Sequence, residues 1–439
     1  MKRVVTALVA LSLLSGCGVF KKGKKPITPT LGERVAILSN EAVVEVDPAL
    51  AGVPVTLPTP LPNADWTQAG GNAAKSMGHL ALGAAPAQAW RVSIGEGSSS
   101  KAQLASAPVV ADGRIYTIDT EAVVRAFDAG TGAAVWQTQV KGRNIQSGTL
   151  FGGGVSYDNG RIYATTGAGD AAALDAKTGS VYWTVRPGAP LRGAPTVAND
   201  NVYVVTQDNQ LFALNPADGA VRWAGAGAVE IAGVLGAASP AAAQGTVVAG
   251  FSSGELTAYR YENGQVLWQD ALARTSISTT VTSLSDIDAE PVIDAGRVYA
   301  VGQGGRMVAI ELITGQRVWE INVAGIATPW VAGDWIFVVT DEGQLLCLSR
   351  ANGHVRWMTA LPHYRNVKKK ADPIDYVGPV LAGGRLVLAS SLGSIIYVDP
   401  ETGTVQSTVE TKLPVSISPI VANNTLYILH ENGQLSAWR

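Results

Sequence analysis

Two carboxylates in alternation, Asp286 and Asp288, lie in the stretch Thr282-Ser-Leu284-Ser285-Asp286-Ile287-Asp288, and few other residues of this chain are placed for chemistry. A carboxylate pair can hold calcium, but that ion wants more oxygen ligands than the stretch displays, so loop carbonyls would have to complete the set. The pair could also act as general acid and base, yet no nucleophile or pocket partner is recognisable beside it. The reading that asks least is a solvated acidic loop that docks a basic residue of a partner. The only cysteines are Cys17 and Cys347, and His79, His354, His363 and His430 are scattered without metal-ligand spacing. No catalytic residue, metal or cofactor is therefore expected. A formal charge of −2 over 439 residues gives no reason to expect a nucleic-acid partner.

The N-terminus reads as an address. Met1-Lys2-Arg3 is a basic start, and Val4 to Leu14 is an apolar run too short to span a bilayer. It ends in Leu14-Ser15-Gly16-Cys17, which resembles the lipobox of bacterial lipoproteins. That resemblance implies a signal peptide over 1–16, cleavage before Cys17 and acylation of Cys17. Gly18 in place of Asp implies sorting to the outer membrane. Acyl chains would then anchor the protein without a transmembrane helix. Lys21, Lys22, Lys24 and Lys25 follow, and the Pro-containing stretch to residue 64 reads as a flexible linker.

The remainder, 65–439, is expected to be all-β. Short Val/Ile/Tyr runs broken by Asp-Gly, Asn-Gly and Thr-Gly recur throughout, and 47% of the residues are hydrophobic. The string Ala126-Phe-Asp128-Ala-Gly-Thr131-Gly132-Ala-Ala-Val-Trp136 returns as Ala173-Leu-Asp175-Ala-Lys-Thr178-Gly179-Ser-Val-Tyr-Trp183, and again around Trp223, Trp268, Trp319 and Trp357. A seventh copy, from Tyr397, has Ser407 where the Trp belongs. Asp starts a turn by bonding its own backbone, Gly reverses the chain, and Trp resumes a strand.

Each unit opens on a Pro position: Pro108, Val155, Pro195, Pro240, Pro291, Pro329, Pro379 and Pro419. Eight residues on comes an apolar residue, from Tyr116 to Tyr427, and ten further a mostly small one, from Ala126 to Ala437. This frame holds in all eight units without an insertion. Four-stranded units of this period predict an eight-bladed β-propeller. The eighth unit lacks its turn and fourth strand, and Ala87-Gln-Ala-Trp90-Arg-Val92 has the look of the missing strand, so the ring is expected to close by pairing it with the last blade.

All length variation falls between the Trp position and the next Pro position, with separations of 19, 12, 17, 23, 10, 22 and 12. These links and the turns between second and third strands emerge on one rim. Binding residues are expected on that rim. The longest links carry the Asp286–Asp288 pair and a His363-Tyr-Arg365-Asn-Val-Lys368-Lys-Lys370 string, the latter read as a solvated tip.

The Ala-x-Asp-x-x-Thr-Gly-x-x-x-Trp units resemble the repeats of pyrroloquinoline-quinone-dependent dehydrogenase propellers. With the lipobox, the chain resembles more closely the propeller lipoproteins of the outer-membrane β-barrel assembly (BAM) machine. Gly32-Glu-Arg-Val-Ala-Ile-Leu38 and Ser283-Leu284-Ser285-Asp286-Ile287-Asp288-Ala-Glu-Pro291 are similar to segments of that family. The resemblance implies a non-catalytic scaffold that docks on a periplasmic POTRA domain of the barrel subunit (BamA) through Leu284, Ser285, Asp286 and Asp288. It also implies other assembly lipoproteins and unfolded outer-membrane protein precursors as partners. A second contact loop of the family carries Leu-x-Leu-Arg-Gly. Aligned one blade earlier it falls on Val234 and Leu235, with Leu235 where Arg is expected, while the Arg192 of Leu191-Arg192-Gly193 belongs to a different link.

The alternative is a periplasmic quinone-type dehydrogenase or a propeller that binds a small ligand in its channel. By resemblance such enzymes need calcium ligands, a catalytic Asp and often adjacent cysteines. This chain has no Cys-Cys pair, and Cys347 occupies a repeat-core position where a small apolar thiol suffices.

Overall fold

The computed structural model describes residues 44–140, 150–228, 238–272 and 285–439. Among them lie eight four-stranded antiparallel sheets arranged as the blades of a β-propeller. Blades 1 to 7 cover 109–139, 153–185, 196–226, 241–271, 292–321, 330–360 and 376–410. Blade 8 joins Ile420–Ala422, Thr425–Leu429 and Gln434–Trp438 to Gln88–Ser93 as its fourth strand. Trp90 pairs with Ala437 in that strand, so the ring closes as the sequence predicts. The lipobox and Cys17 lie outside the described residues.

The repeat frame becomes a row across each blade. In blade 1, Tyr116 pairs with Ala126 and Ala126 with Trp136. The two large rings meet over the small alanine, with centroids 6.0 Å apart. Tyr163–Trp183, Tyr203–Trp223, Tyr299–Trp319 and Phe337–Trp357 repeat the arrangement at 5.8–6.2 Å. Blade 7 inverts it. Its central residue is Tyr397, and its neighbours in the row are Val387 and Ser407, so bulk lost at the Trp position is regained at the alanine position. Close packing allows either arrangement as long as the volume is kept.

Each Trp also reaches the next blade. The indole Nε1–H of Trp136, Trp183, Trp223, Trp268, Trp319 and Trp357 donates to the carbonyl of Ala176, Pro216, Tyr261, Leu312, Arg350 and Pro400, at 2.7–3.0 Å. The same side chains lie on the turn glycines of the following blade. A Cβ on Gly179, Gly219, Gly264, Gly315, Gly353 or Gly403 would fall 2.5–2.7 Å from the tryptophan. Trp90 covers Gly132 in the same way and so joins blade 8 to blade 1. Blade 8 takes its fourth strand from the other end of the propeller and therefore has no such turn. Ser407 replaces Trp at the junction where a ring would have nothing to cover.

The chain before the first blade is more structured than the sequence suggests. Residues 63–80 pass round the channel and bond the innermost strand of one blade after another. Trp66 exchanges two backbone bonds with Val110, both 2.8 Å. The Tyr157 N–H donates to the Thr67 carbonyl, and the side-chain amide of Gln68 both donates to and accepts from the backbone of Val197. Ala242 and Ile293 donate to the carbonyls of Ala73 and Ala74, Trp330 donates to Gly78, and Leu80 donates to Leu381. Asn63 donates to the Val421 carbonyl and completes the circuit. A segment that touches all eight blades acts as a gasket. It satisfies backbone groups that the inner strand edges would otherwise bury unpaired.

Residues expected to belong to the linker over 17–64 also bond the propeller. Val46 forms a parallel bridge with Val355 on the outer edge of blade 6, and Val55 N–H donates to Glu401. Pro-rich composition indicated flexibility, but these backbone groups find partners on the propeller.

The Trp-on-glycine contact is open to a direct comparison. Gly219 and Gly113 have φ of 76° and 71°, but a Cβ would strike Trp183 at the first and open space at the second. Gly113→Ala should cost about 1–2 kcal/mol from backbone strain alone. Gly219→Ala should cost about 1–3 kcal/mol more through overpacking, measured by urea denaturation.

Candidate functional site

The site is assembled from two links that converge at the channel. In the link before blade 3, Arg192 is pinned by its backbone. Its N–H donates to the Val205 carbonyl at 2.9 Å and its carbonyl accepts from Gly153 at 2.8 Å. In the link before blade 5, Ile287 is fully buried, and its N–H donates to the Phe251 carbonyl at 3.2 Å. Alternation along the extended chain then turns Asp286 and Asp288 to the side opposite Ile287.

Both carboxylates meet Arg192. Nη2 of Arg192 lies 2.8 Å from Asp286 Oδ1 and 3.1 Å from Asp288 Oδ1. The guanidinium is 2% exposed and Asp286 1%. The expected solvated acidic loop is therefore not what the chain builds. The ring brings the loop's counter-ion from a link 94 residues away in sequence, and the cluster leaves water. Arg192 and Asp286 belong to the links of different blades and lie far apart in chain order. In a ring, links from different blades meet at the centre. Leu191-Arg192-Gly193 is the string that supplies the arginine for Asp286 and Asp288. Those two residues and Leu284 lie outside the described residues, and Ser285 is half-buried at the loop's edge.

Two carboxylates share one guanidinium. Burial, with the charge of Asp286, pushes Asp288 up to about 7, and Arg192 works against that shift. Asp286 Oδ2 has no hydrogen-bond partner among the described residues.

Asp288 also borders a cavity of about 170 Å³ in the channel, between the links and the gasket. Trp66 and Lys75 contribute from the gasket, with Glu290 and Thr328 from the walls. Lys75 is 2% exposed, and its Nζ donates to Ala69 at 2.8 Å and Thr196 at 3.2 Å. Burial pulls Lys75 down and pushes Glu290 up, while each charge counteracts the other's shift. A polyanionic quinone does not fit these walls. Asp288 and Glu290 present carboxylates, and the lysine is already tied to its own loop. Among the described residues no group of acidic, His or Cys side chains is clustered to hold a metal ion.

Other residues singled out by sequence fall where packing explains them. Cys347 is buried and burial pushes its thiol up, away from reactivity. His430 is buried and pulled down to about 4. Lys368, Lys369 and Lys370 are exposed at the tip of a hairpin made by Tyr364–Asn366 and Ala371–Pro373.

The cluster makes stability depend on pH. Asp288 has an ordinary carboxylate value when unfolded and about 7 when folded, so the folded state holds the proton more tightly. The resulting stabilisation is full below about pH 4 and is lost as pH rises through about 7. Urea midpoints between about pH 5 and pH 8 should fall in the wild type, and Asp288→Asn should remove that part of the slope. Arg192→Met should cost about 3–5 kcal/mol at neutral pH, and less in acid as the carboxylates gain protons.

The sequence model described as outer membrane protein assembly factor BamB matches residues 81–147 and 120–359. The chain is 26% identical to BamB of Yersinia pestis over 359 residues, covering 80% of this chain and 88% of that one. It is 26% identical to BamB of Escherichia coli strain K12, covering 79% and 87%. The crystal structure of BamB from Moraxella catarrhalis superposes with a TM-score of 0.68 at 21% identity, covering 81% of this chain and 99% of that one. A europium-containing methanol dehydrogenase shares the fold, with a TM-score of 0.66 at 15% identity over 83% of this chain and 89% of that one. The family model spans well over half of the chain, and this protein belongs to the BamB family of outer membrane protein assembly factors.

Proposed function

We propose that this protein is a non-catalytic scaffold lipoprotein of the outer-membrane β-barrel assembly complex, anchored through acylated Cys17 on the periplasmic side of the outer membrane. It docks on the POTRA region of the barrel subunit, works beside other assembly lipoproteins, and helps unfolded precursors fold and insert. The reading rests on family membership and on the Arg192–Asp286–Asp288 cluster, which fixes the loop from Ser285 onward on the rim of variable links. Burial changes the part that the acidic pair plays. Asp286 and Asp288 hold the loop through Arg192, and Leu284 and Ser285 beside them meet the partner, with Val234 and Leu235 on the neighbouring link. The dehydrogenase alternative loses ground to the carboxylate-bearing walls of the channel.

Affinity purification of the detergent-solubilised complex through a tag on this protein tests the reading. The barrel subunit should co-purify with the wild type. Ser285→Arg should lose it by about tenfold or more while keeping the wild-type melting temperature, as expected of a cation placed in a contact. Equal recovery with Ser285→Arg would move the contact elsewhere on the rim. Absence of the barrel subunit from the wild-type sample would sink the scaffold role.

A further inference from the structure

The link from blade 6 to blade 7 rises into a hairpin of its own. Tyr364–Asn366 and Ala371–Pro373 run antiparallel, Tyr364 paired with Pro373 and Asn366 with Ala371. At the tip, the Lys369 N–H donates to the Asn366 side chain at 3.2 Å, and Lys370 turns the chain with a φ of 47°. At the base, the Ile374 N–H donates to the His363 carbonyl at 2.9 Å and the Tyr376 hydroxyl to the Pro362 carbonyl at 2.7 Å. A segment bonded at both ends is an arm of defined shape.

The charge of this arm opposes that of the chain. Residues 364–373 carry Arg365, Lys368, Lys369 and Lys370 against the single carboxylate of Asp372, whereas the whole protein has a formal charge of −2. All four cations are exposed, and among the described residues none of them belongs to an ion pair. Beside them in the same turn, Val367 is 74% exposed. A tip that serves only solubility gains nothing from an apolar side chain at its apex. A tip that enters a lipid interface does, because the valine leaves water while the ammonium groups stay with anionic headgroups.

We propose that this hairpin rests on an anionic phospholipid surface, with Val367 at the acyl boundary and Arg365, Lys368, Lys369 and Lys370 among the headgroups. The inference goes beyond the docking role and rests on the outer-membrane location proposed for this chain. An acidic protein surface is a poorer occupant. Each lysine is a hydrated point charge on a flexible stem, and a run of three suits a laterally mobile array of headgroups better than one shaped pocket. Such a contact also sets the facing of the propeller. The 26 residues between Cys17 and Val44 reach up to about 90 Å, so an anchor at Cys17 alone leaves the facing open. The hairpin rises from the rim of variable links and turns that rim toward the membrane.

The test uses the full acylated chain on vesicles of phosphatidylcholine, with or without phosphatidylglycerol, and an environment-sensitive fluorophore on Val367→Cys. Cys347 is buried and does not compete for the label. Emission should move to the blue only where phosphatidylglycerol is present, and the shift should vanish at about 1 M salt, where charges are screened within about 3 Å. The same label on Ile313→Cys, equally exposed at 79% in a turn of the opposite rim, should stay unshifted. Lys368→Glu, Lys369→Glu and Lys370→Glu together should abolish the shift at unchanged melting temperature. Emission indifferent to phosphatidylglycerol, or equal shifts at both labels, would overturn the inference. So would a shift that needs added barrel subunit in place of phosphatidylglycerol, since the hairpin then meets an acidic protein. Flotation with phosphatidylcholine vesicles at high salt reads the acyl anchor separately. A chain that floats there yet shows no shift keeps its anchor and loses the hairpin contact. A chain that floats only with phosphatidylglycerol at low salt keeps the hairpin contact and loses the anchor.

Discussion

The structure depends on a tryptophan of one blade lying on the turn glycine of the next. The contact buries a large ring over that glycine at seven of the eight junctions, and at six of them the indole also donates to the carbonyl three residues before the glycine. Aromatic burial is among the largest contributions one side chain can make. Placed between blades, it stabilises the ring instead of any single sheet. The demand falls equally on both partners. A ring that fills the space over a glycine leaves no room for a Cβ, so Trp and Gly recur together. The blade 7–8 junction shows the same logic by exception, because Ser407 stands where no turn is available to cover.

Ring closure creates a second problem, which the gasket solves. The first strand of every blade lines the channel with one edge unpaired, and buried backbone groups must be satisfied. One segment that passes all eight edges provides partners in turn, with Gln68 substituting a side-chain amide for a strand. This divides the channel. The cavity left above the gasket is lined by the entrances of the inner strands and by the links. Charged groups placed there lose water, which is why Lys75, Glu290 and Asp288 are all displaced from their ordinary proton affinities.

The Arg192–Asp286–Asp288 cluster is poor evidence of net stability, since desolvating three charged groups costs as much as their attraction returns. Its effect is geometric. Two links that would otherwise move independently are locked to one guanidinium, and the rim between them acquires a defined shape. A surface that must match a partner benefits from such preorganisation, because less ordering is left for the moment of binding.

The sequence by itself determined the blade count, the closure by Trp90, the turn chemistry and the rim that carries the variable links. These follow from rules that act over a few residues, namely strand alternation and the Asp-Thr-Gly turn, repeated at a constant period. The partner of Asp286 was not legible, although Arg192 stood in plain view. Its pairing depends on the ring bringing links of different blades to one centre, and no local spacing records that. The same holds for residues 44–80, whose polar and Pro-rich composition reads as linker until the inner and outer strand edges they satisfy are in place. Exposure of Val221 and Val355 was equally undecided, because each opens a Val-Arg-Trp string and residues 44–47 pack against the second. Local sequence specified each blade, and tertiary structure decided which charges left the water and which edges remained open.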